Sequence, residues 1–228
     1  PELLRKLCTI EGLVWIRLLY CYPEEITEEL IQVMKEQPKV CHYLDLPIQH
    51  ANDEILRRMG RRTSKQELID KIDFLRSEMP DITLRTTLIT GFPGETKEQH
   101  KELLEFINDM EFDRLGVFTY SPEEGTPAAA MEHQIDEEVK LDRQAELMEL
   151  QQDISAELGE RRIGQELLVM IEGKVADEDA YVGRSQADAP GVDGYVFVNT
   201  PETLVSGDFV RVKITGALEY DLIGEISQ

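Results

Sequence analysis

The chain has 228 residues, of which 41% are hydrophobic, enough for one large domain or for a medium and a small one. A net charge of −22 works against binding a phosphate backbone, which needs Lys and Arg to neutralise phosphates, and favours basic partners instead. No apolar run reaches bilayer-spanning length, and Cys8, Cys21 and Cys41 form no even disulfide framework, so the expected compartment is a reducing cytoplasm.

The chain starts inside a helical pattern, ELLRKL, and then alternates strand and helix. WIRLLY (15–20) reads as a strand, followed after Pro23 by the amphipathic segment EEITEELIQVMKE. HYLDLPIQ (42–49) is the second strand, then come a short helix NDEILRRM and a helix opened by a Ser64–Glu67 capping box and stopped by Pro80. ITLRTTLI (82–89), the third strand, runs into a Gly-Pro-Gly turn, and Thr96 with Gln99 caps the helix beyond it. Gly91 and Gly94 suit positive φ or close approach of another molecule to the backbone, so this corner reads either as a cofactor-binding turn or as an ordinary βα loop. RLGVFTY (114–120) is the fourth strand. Strands alternating with helices predict parallel βαβ units with functional groups at the strand carboxyl ends.

After a loop from Glu124 to Met131, Asp136 is expected to cap a long helix reaching about Leu158 and ended by Gly159. QELLVMIEGKV, YVGRS, GYVFVN and DFVRVKITGAL then read as short strands of a small all-β barrel. The expected class is α/β: a partial (β/α) barrel with its linking helix over residues 1–159, followed by the β-barrel over 160–228. Four parallel strands are too few to close a barrel and no first strand is recognisable, so a truncated chain is expected.

Polar residues gather at the strand ends. Asp45, Gln49 and His50 end the second strand, Arg85 and Thr87 lie on the third with Glu95 in the turn beyond, and Tyr120 to Thr126 follow the fourth. Alternation puts Arg85, Thr87 and Ile89 on one face, where Arg85 either holds a ligand carboxylate or pairs internally with Asp45. The four histidines lie in different elements and no Cys-x-x-Cys or His-x-x-x-His spacing occurs, so no metal ligands are assigned among them or the cysteines. No catalytic residue is identified.

Taken together, YLDLPIQHANDEILRRMGRR, RTTLITGFPGET and VFTYSPEEGTPA resemble three successive blocks of the radical S-adenosylmethionine methylthiotransferases, and the terminal barrel resembles their TRAM domain. The resemblance covers essentially the whole chain. It implies a radical barrel that binds S-adenosylmethionine and 4Fe–4S clusters, two in the full-length protein, with sulfur insertion at an unactivated carbon. It also implies cofactor-binding roles for Gln49, Arg85, Thr87, Ile89, Glu95, Phe118 and Tyr120. The cluster cysteines of the family, in Cys-x-x-x-Cys-x-x-Cys spacing, have no match in Cys8, Cys21 or Cys41, so the chain alone is expected to be inactive.

LPIQH (46–50) resembles the branch that modifies an aspartate in protein twelve of the small ribosomal subunit, rather than the tRNA branch with LPxQSG. Charge agrees: residues 160–228 hold thirteen Asp and Glu against six Lys and Arg, the sign suited to a basic ribosomal protein. The implied partners are that protein, through the acidic barrel, and a reductant such as flavodoxin or ferredoxin. No membrane partner is expected, and nucleic acid is disfavoured. A tRNA isopentenyladenosine methylthiotransferase and a non-catalytic acidic module docking a basic partner stand as alternatives.

Overall fold

The computed structural model describes residues 1–227 and contains two compact units, Pro1–Gln151 and Gln152–Gln228. The first is built on a parallel sheet in the order β1-β2-β3-β4: β1 Ile16–Leu18, β2 Val40–Asp45, β3 Thr83–Thr90 and β4 Arg114–Thr119. Helix α1 (Glu2–Cys8) precedes it. The crossovers carry α2 (Glu28–Glu36), then α3 (Asp53–Arg58) with α4 (Lys65–Glu78), then α5 (Lys97–Met110). Parallel pairing demands such long crossovers, because each strand must return to the same end of the sheet.

Local chemistry starts the helices where the sequence indicates. Thr27 and Asn52 cap α2 and α3, and reciprocal capping boxes form at Ser64–Glu67 and Thr96–Gln99. Along β3, Leu84, Thr86, Leu88 and Thr90 are buried, whereas Arg85, Thr87 and Ile89 on the opposite face are half-buried. The fully buried Leu68 and Leu75 of α4 and Leu103 and Ile107 of α5 complete the core of this unit.

Two strands are shorter than the apolar runs predict. β1 stops at Leu18 because Tyr20 takes φ 58° and its N–H turns to the Asp45 carboxylate at 3.3 Å. β2 stops at Asp45, since Pro47 has no N–H to offer a ladder. The chain rejoins β3 at Gln49 through a single bridge to Leu88.

Helix α6 (Glu137–Glu160) also differs from expectation, running through Gly159 instead of ending there. A Cβ at Gly159 would lie 3.2 Å from that of Ala217, so the glycine serves close packing, and the left-handed residue beyond the helix is Gly164 at φ 87°. In the second unit, β5 (Glu166–Lys174), β6 (Ala180–Ser185), β7 (Val196–Asn199), β8 (Phe209–Ala217) and β9 (Leu222–Ile226) close in the order β5-β6-β7-β9-β8. Val169, Ile171, Val196, Val198, Val212 and Ile214 fill it. Strand β9 is additional to the four segments read from sequence; it is short and interrupted by Gly224.

Candidate functional site

The site is assembled at the carboxyl ends of β2, β3 and β4. Gln49 takes φ 72°, rare for a residue with a Cβ. Its N–H donates to the Thr87 carbonyl at 2.9 Å and its carbonyl accepts from the Ile89 N–H at 2.8 Å. These two bonds stitch the loop after β2 onto β3 and set Gln49 beside Ile89. On the other side the Tyr120 N–H donates to the Thr90 carbonyl at 2.8 Å, and the Tyr120 ring meets Phe92 edge-on at 5.3 Å.

Between these groups lies a cleft of about 530 Å³. Gln49, Ile89, Phe92 and Tyr120 line it from the sheet side, Arg58 to Arg61 from the end of α3, and Thr126 to Ala128 with Met131 from the loop after β4. The volume falls within the range of small-molecule sites, and the lining is mainly apolar with a few convergent polar groups. The Tyr120 hydroxyl is buried and, among the described residues, has no hydrogen-bond partner, leaving a donor and acceptor for a ligand.

The turn is held from beneath. Glu95 Oε2 accepts from the N–H groups of Gly91 at 2.6 Å and Phe92 at 3.1 Å. Arg143 of α6 places Nη1 3.1 Å from Glu95 Oε1 and donates to the Glu95 carbonyl, also at 3.1 Å. Burial pushes the Glu95 carboxyl above its ordinary range, against the pull of Arg143 and the two amides. Lys140, one helical turn earlier, donates to the Tyr120 carbonyl at 2.8 Å. Thus α6 grips the ends of both β3 and β4.

His50 is fully buried behind this corner, and its Nδ1 accepts the Asn52 N–H at 2.9 Å. Burial, reinforced by the nearby His100 and Arg143, lowers its pKa to about 3, so the ring is neutral. His100 is lowered too, chiefly by burial, and contacts Glu146 at 2.8 Å.

Of the residues singled out from sequence, Gln49, Ile89 and Tyr120 meet at the cleft. Glu95 braces its turn without facing it. Arg85 pairs with Asp45 at 3.0 Å, the internal arrangement of its two readings, and Nη1 also reaches Thr87 Oγ1 at 3.4 Å. Phe118 stands on β4, 61% exposed, and does not line the cleft. Sequence reasoning missed Phe92, Met131, Arg58, Arg61, Lys140 and Arg143. The run RRMGRR (57–62) in so acidic a chain was the signal for the arginines, whereas the α6 pair carries none beyond its spacing.

Comparison with known proteins bears directly on this geometry. Residues 1–107 match the radical SAM superfamily and residues 163–226 match the TRAM domain. The ribosomal protein uS12 methylthiotransferase RimO of Lachnoclostridium phytofermentans is 61% identical over 98% of this chain and 51% of its own length. The proteins of the same name from Desulfitobacterium hafniense and Clostridium botulinum (strain Langeland) are 55% and 53% identical, over 100% and 99% of this chain and 51% and 50% of their own lengths.

Along nearly its whole length the chain is similar to ribosomal protein uS12 methylthiotransferases, and it carries a radical SAM superfamily match followed by a TRAM match. It spans about half the length of the curated relatives it matches. The family implies S-adenosylmethionine and 4Fe–4S chemistry, and the two groups fit this chain differently. An adenosyl group suits the cleft, with apolar walls at Ile89 and Phe92 and the unpaired Tyr120 hydroxyl among them. A cluster does not fit: among the described residues no group of three His, Cys, Asp or Glu side chains is placed to hold a metal, and Cys41 is buried in β2.

Proposed function

We propose that this chain supplies the cofactor cleft and partner-docking barrel of a methylthiotransferase. It acts on the β-carbon of an aspartate in protein twelve of the small ribosomal subunit. The observation that carries the reading is the cleft itself, at strand carboxyl ends where the stitched Gln49–Ile89 pair meets the Phe92–Tyr120 corner. Its support from relatives is their name, uS12 methylthiotransferase, and their identity of 55–61% across 98–100% of this chain.

Bound S-adenosylmethionine supplies the radical and methyl chemistry implied by the family. This chain's own groups bind and orient it. Ile89 and the Phe92–Tyr120 corner give the adenine an apolar face, Gln49 and the Tyr120 hydroxyl give it hydrogen bonds, and Glu95 with Arg143 keeps the turn in shape. Arg85 and Thr87 lie lower on the same face of β3, outside the cleft lining, where Arg85 pairs with Asp45, and Phe118 on β4 also stands outside it. Two 4Fe–4S clusters and a reductant such as flavodoxin or ferredoxin belong to the complete reaction, with the cytoplasm as its compartment. Among the described residues no helix is long and apolar enough to cross a membrane.

The barrel, with thirteen acidic residues against six basic over 160–228, docks the basic ribosomal protein. The test is binding of the chain to uS12 and to tRNA in parallel. Preference for uS12, weakening steeply as salt shortens the screening length below about 10 Å, is expected. Preference for tRNA would transfer the chain to the tRNA branch. Salt-independent binding of uS12 would reject the electrostatic docking.

A further inference from the structure

The chain carries four arginines within six residues, Arg57, Arg58, Arg61 and Arg62, against a net charge of −22. Three well-buried arginines elsewhere in the chain are held by carboxylates. Arg143 takes Glu95, Arg85 takes Asp45 and Arg184 takes Glu172. Arg58 and Arg61 do not: each is half-buried at the wall of the cleft, and among the described residues neither makes an ion pair.

Both guanidiniums are instead laid against aromatic rings. The Arg58 Cζ lies 5.9 Å from the Phe92 ring centroid and the Arg61 Cζ lies 5.2 Å from that of Tyr22. Such contacts use the guanidinium's charge without engaging its N–H groups with a carboxylate. Arg58 is further fixed by its closeness to the turn, since a Cβ on Gly94 would come within 2.7 Å of its Nη1, and its Nη2 donates to Met131 Sδ at 3.9 Å. Keeping two oriented cations half out of water without a counter-charge is costly, unless a ligand supplies that charge.

We propose that Arg58 and Arg61 form a carboxylate-binding subsite of the cleft, resting on the cofactor reading above for the cleft but not for the subsite itself. A carboxylate is the anion whose planar oxygens match the guanidinium fork in bidentate fashion. Two sources offer one there: the methionyl end of an adenosyl sulfonium, and an acidic side chain of a protein substrate. Arg85, whose fork is engaged with Asp45, is the weaker candidate for either.

The experiment is calorimetric binding to the whole chain and to its Arg58→Gln, Arg61→Gln and Arg61→Lys variants, each checked for unchanged thermal unfolding. The probes are S-adenosylmethionine, its decarboxylated analogue, and a basic peptide carrying either one Asp or Asn in its place. A loss of roughly tenfold or more in affinity on removing the ligand carboxylate, abolished in the Gln variants and partly retained by Arg61→Lys, supports the subsite. Discrimination between the two adenosyl compounds assigns the methionyl source, and discrimination between Asp and Asn peptides assigns the substrate source. If both adenosyl compounds bind alike and the variants change nothing, the subsite is wrong while the cofactor cleft stands. If neither adenosyl compound binds but the Asp peptide is selected, the subsite stands and the cofactor reading falls. Binding of none of the probes overturns the subsite.

Discussion

Arg143 touches Glu95 twice, once at the carboxylate and once at the main-chain carbonyl, both at 3.1 Å. One guanidinium from α6 therefore fixes both the side chain that collects the Gly91 and Phe92 amides and the backbone that leads into α5. The side-chain exposures of the pair, 8% and 0%, make this a buried contact whose loss water cannot repair.

Arg143→Met should accordingly destabilise the chain by about 3–5 kcal/mol, because it strands a buried carboxylate. Arg143→Lys keeps the charge but cannot hold both oxygens, and should lose less. Urea unfolding measures both, and equal stability of all three proteins would show that the contact does not brace the turn.

Gly91→Ala tests the same corner from the other side. Gly91 has φ 72°, and the space a Cβ would take is already filled by the Lys140 side chain. A loss of about 1–2 kcal/mol from the left-handed backbone, with a further loss from crowding of about 1–3 kcal/mol, is expected. Adenosyl affinity should fall with it, since Lys140 also holds the Tyr120 carbonyl. Unchanged unfolding and binding would count against both effects.

Acid should unfold this chain through its buried histidines. The pKa of His50 falls from an ordinary 6.5 to about 3 on folding, so its neutral form stabilises the fold above pH 6.5, and that stability drains away as the pH drops towards 3. His100 moves in the same direction, while Glu102 opposes and Arg143 reinforces the shift of His50. Between pH 6.5 and about 3, His50 contributes a slope of roughly 1.4 kcal/mol per pH unit. His50→Asn, which keeps an acceptor for the Asn52 N–H, should flatten the curve by one proton. Parallel stability–pH curves for the two proteins would refute the assignment.

In the second unit, Gly224→Ala should be costly and Gly173→Ala nearly neutral. A Cβ at Gly224 would come 2.7 Å from the Lys213 carbonyl oxygen across the β8–β9 pair, where backbone cannot yield. At Gly173 a Cβ meets nothing within 4 Å. Expected losses are about 1–3 kcal/mol against less than about 0.5 kcal/mol, read from thermal unfolding. Similar losses at the two sites would refute the packing argument.

Local rules made much of this molecule readable in advance. The capping boxes at Ser64 and Thr96, the alternation of β3 and the Gly91 and Gly94 turn each depend on residues near in sequence, so pattern alone locates them. Element ends were less legible. Tyr20 leaves β1 because Asp45, twenty-five residues away, accepts its N–H, and helix α6 passes Gly159 because packing against Ala217 asks for a small residue there.

By itself, the sequence determined the alternating elements, the small barrel, the family resemblance and the acidic character, because these follow from periodicity, motif and composition. Only the tertiary structure decided which polar residues act together. It committed Arg85 to Asp45 and Glu95 to the underside of its turn, brought Arg143 and Lys140 across from α6, and left Arg58 and Arg61 at the cleft without an ion pair among the described residues. Charge partners are chosen by distances of a few ångströms between segments tens of residues apart, and no local pattern encodes those distances.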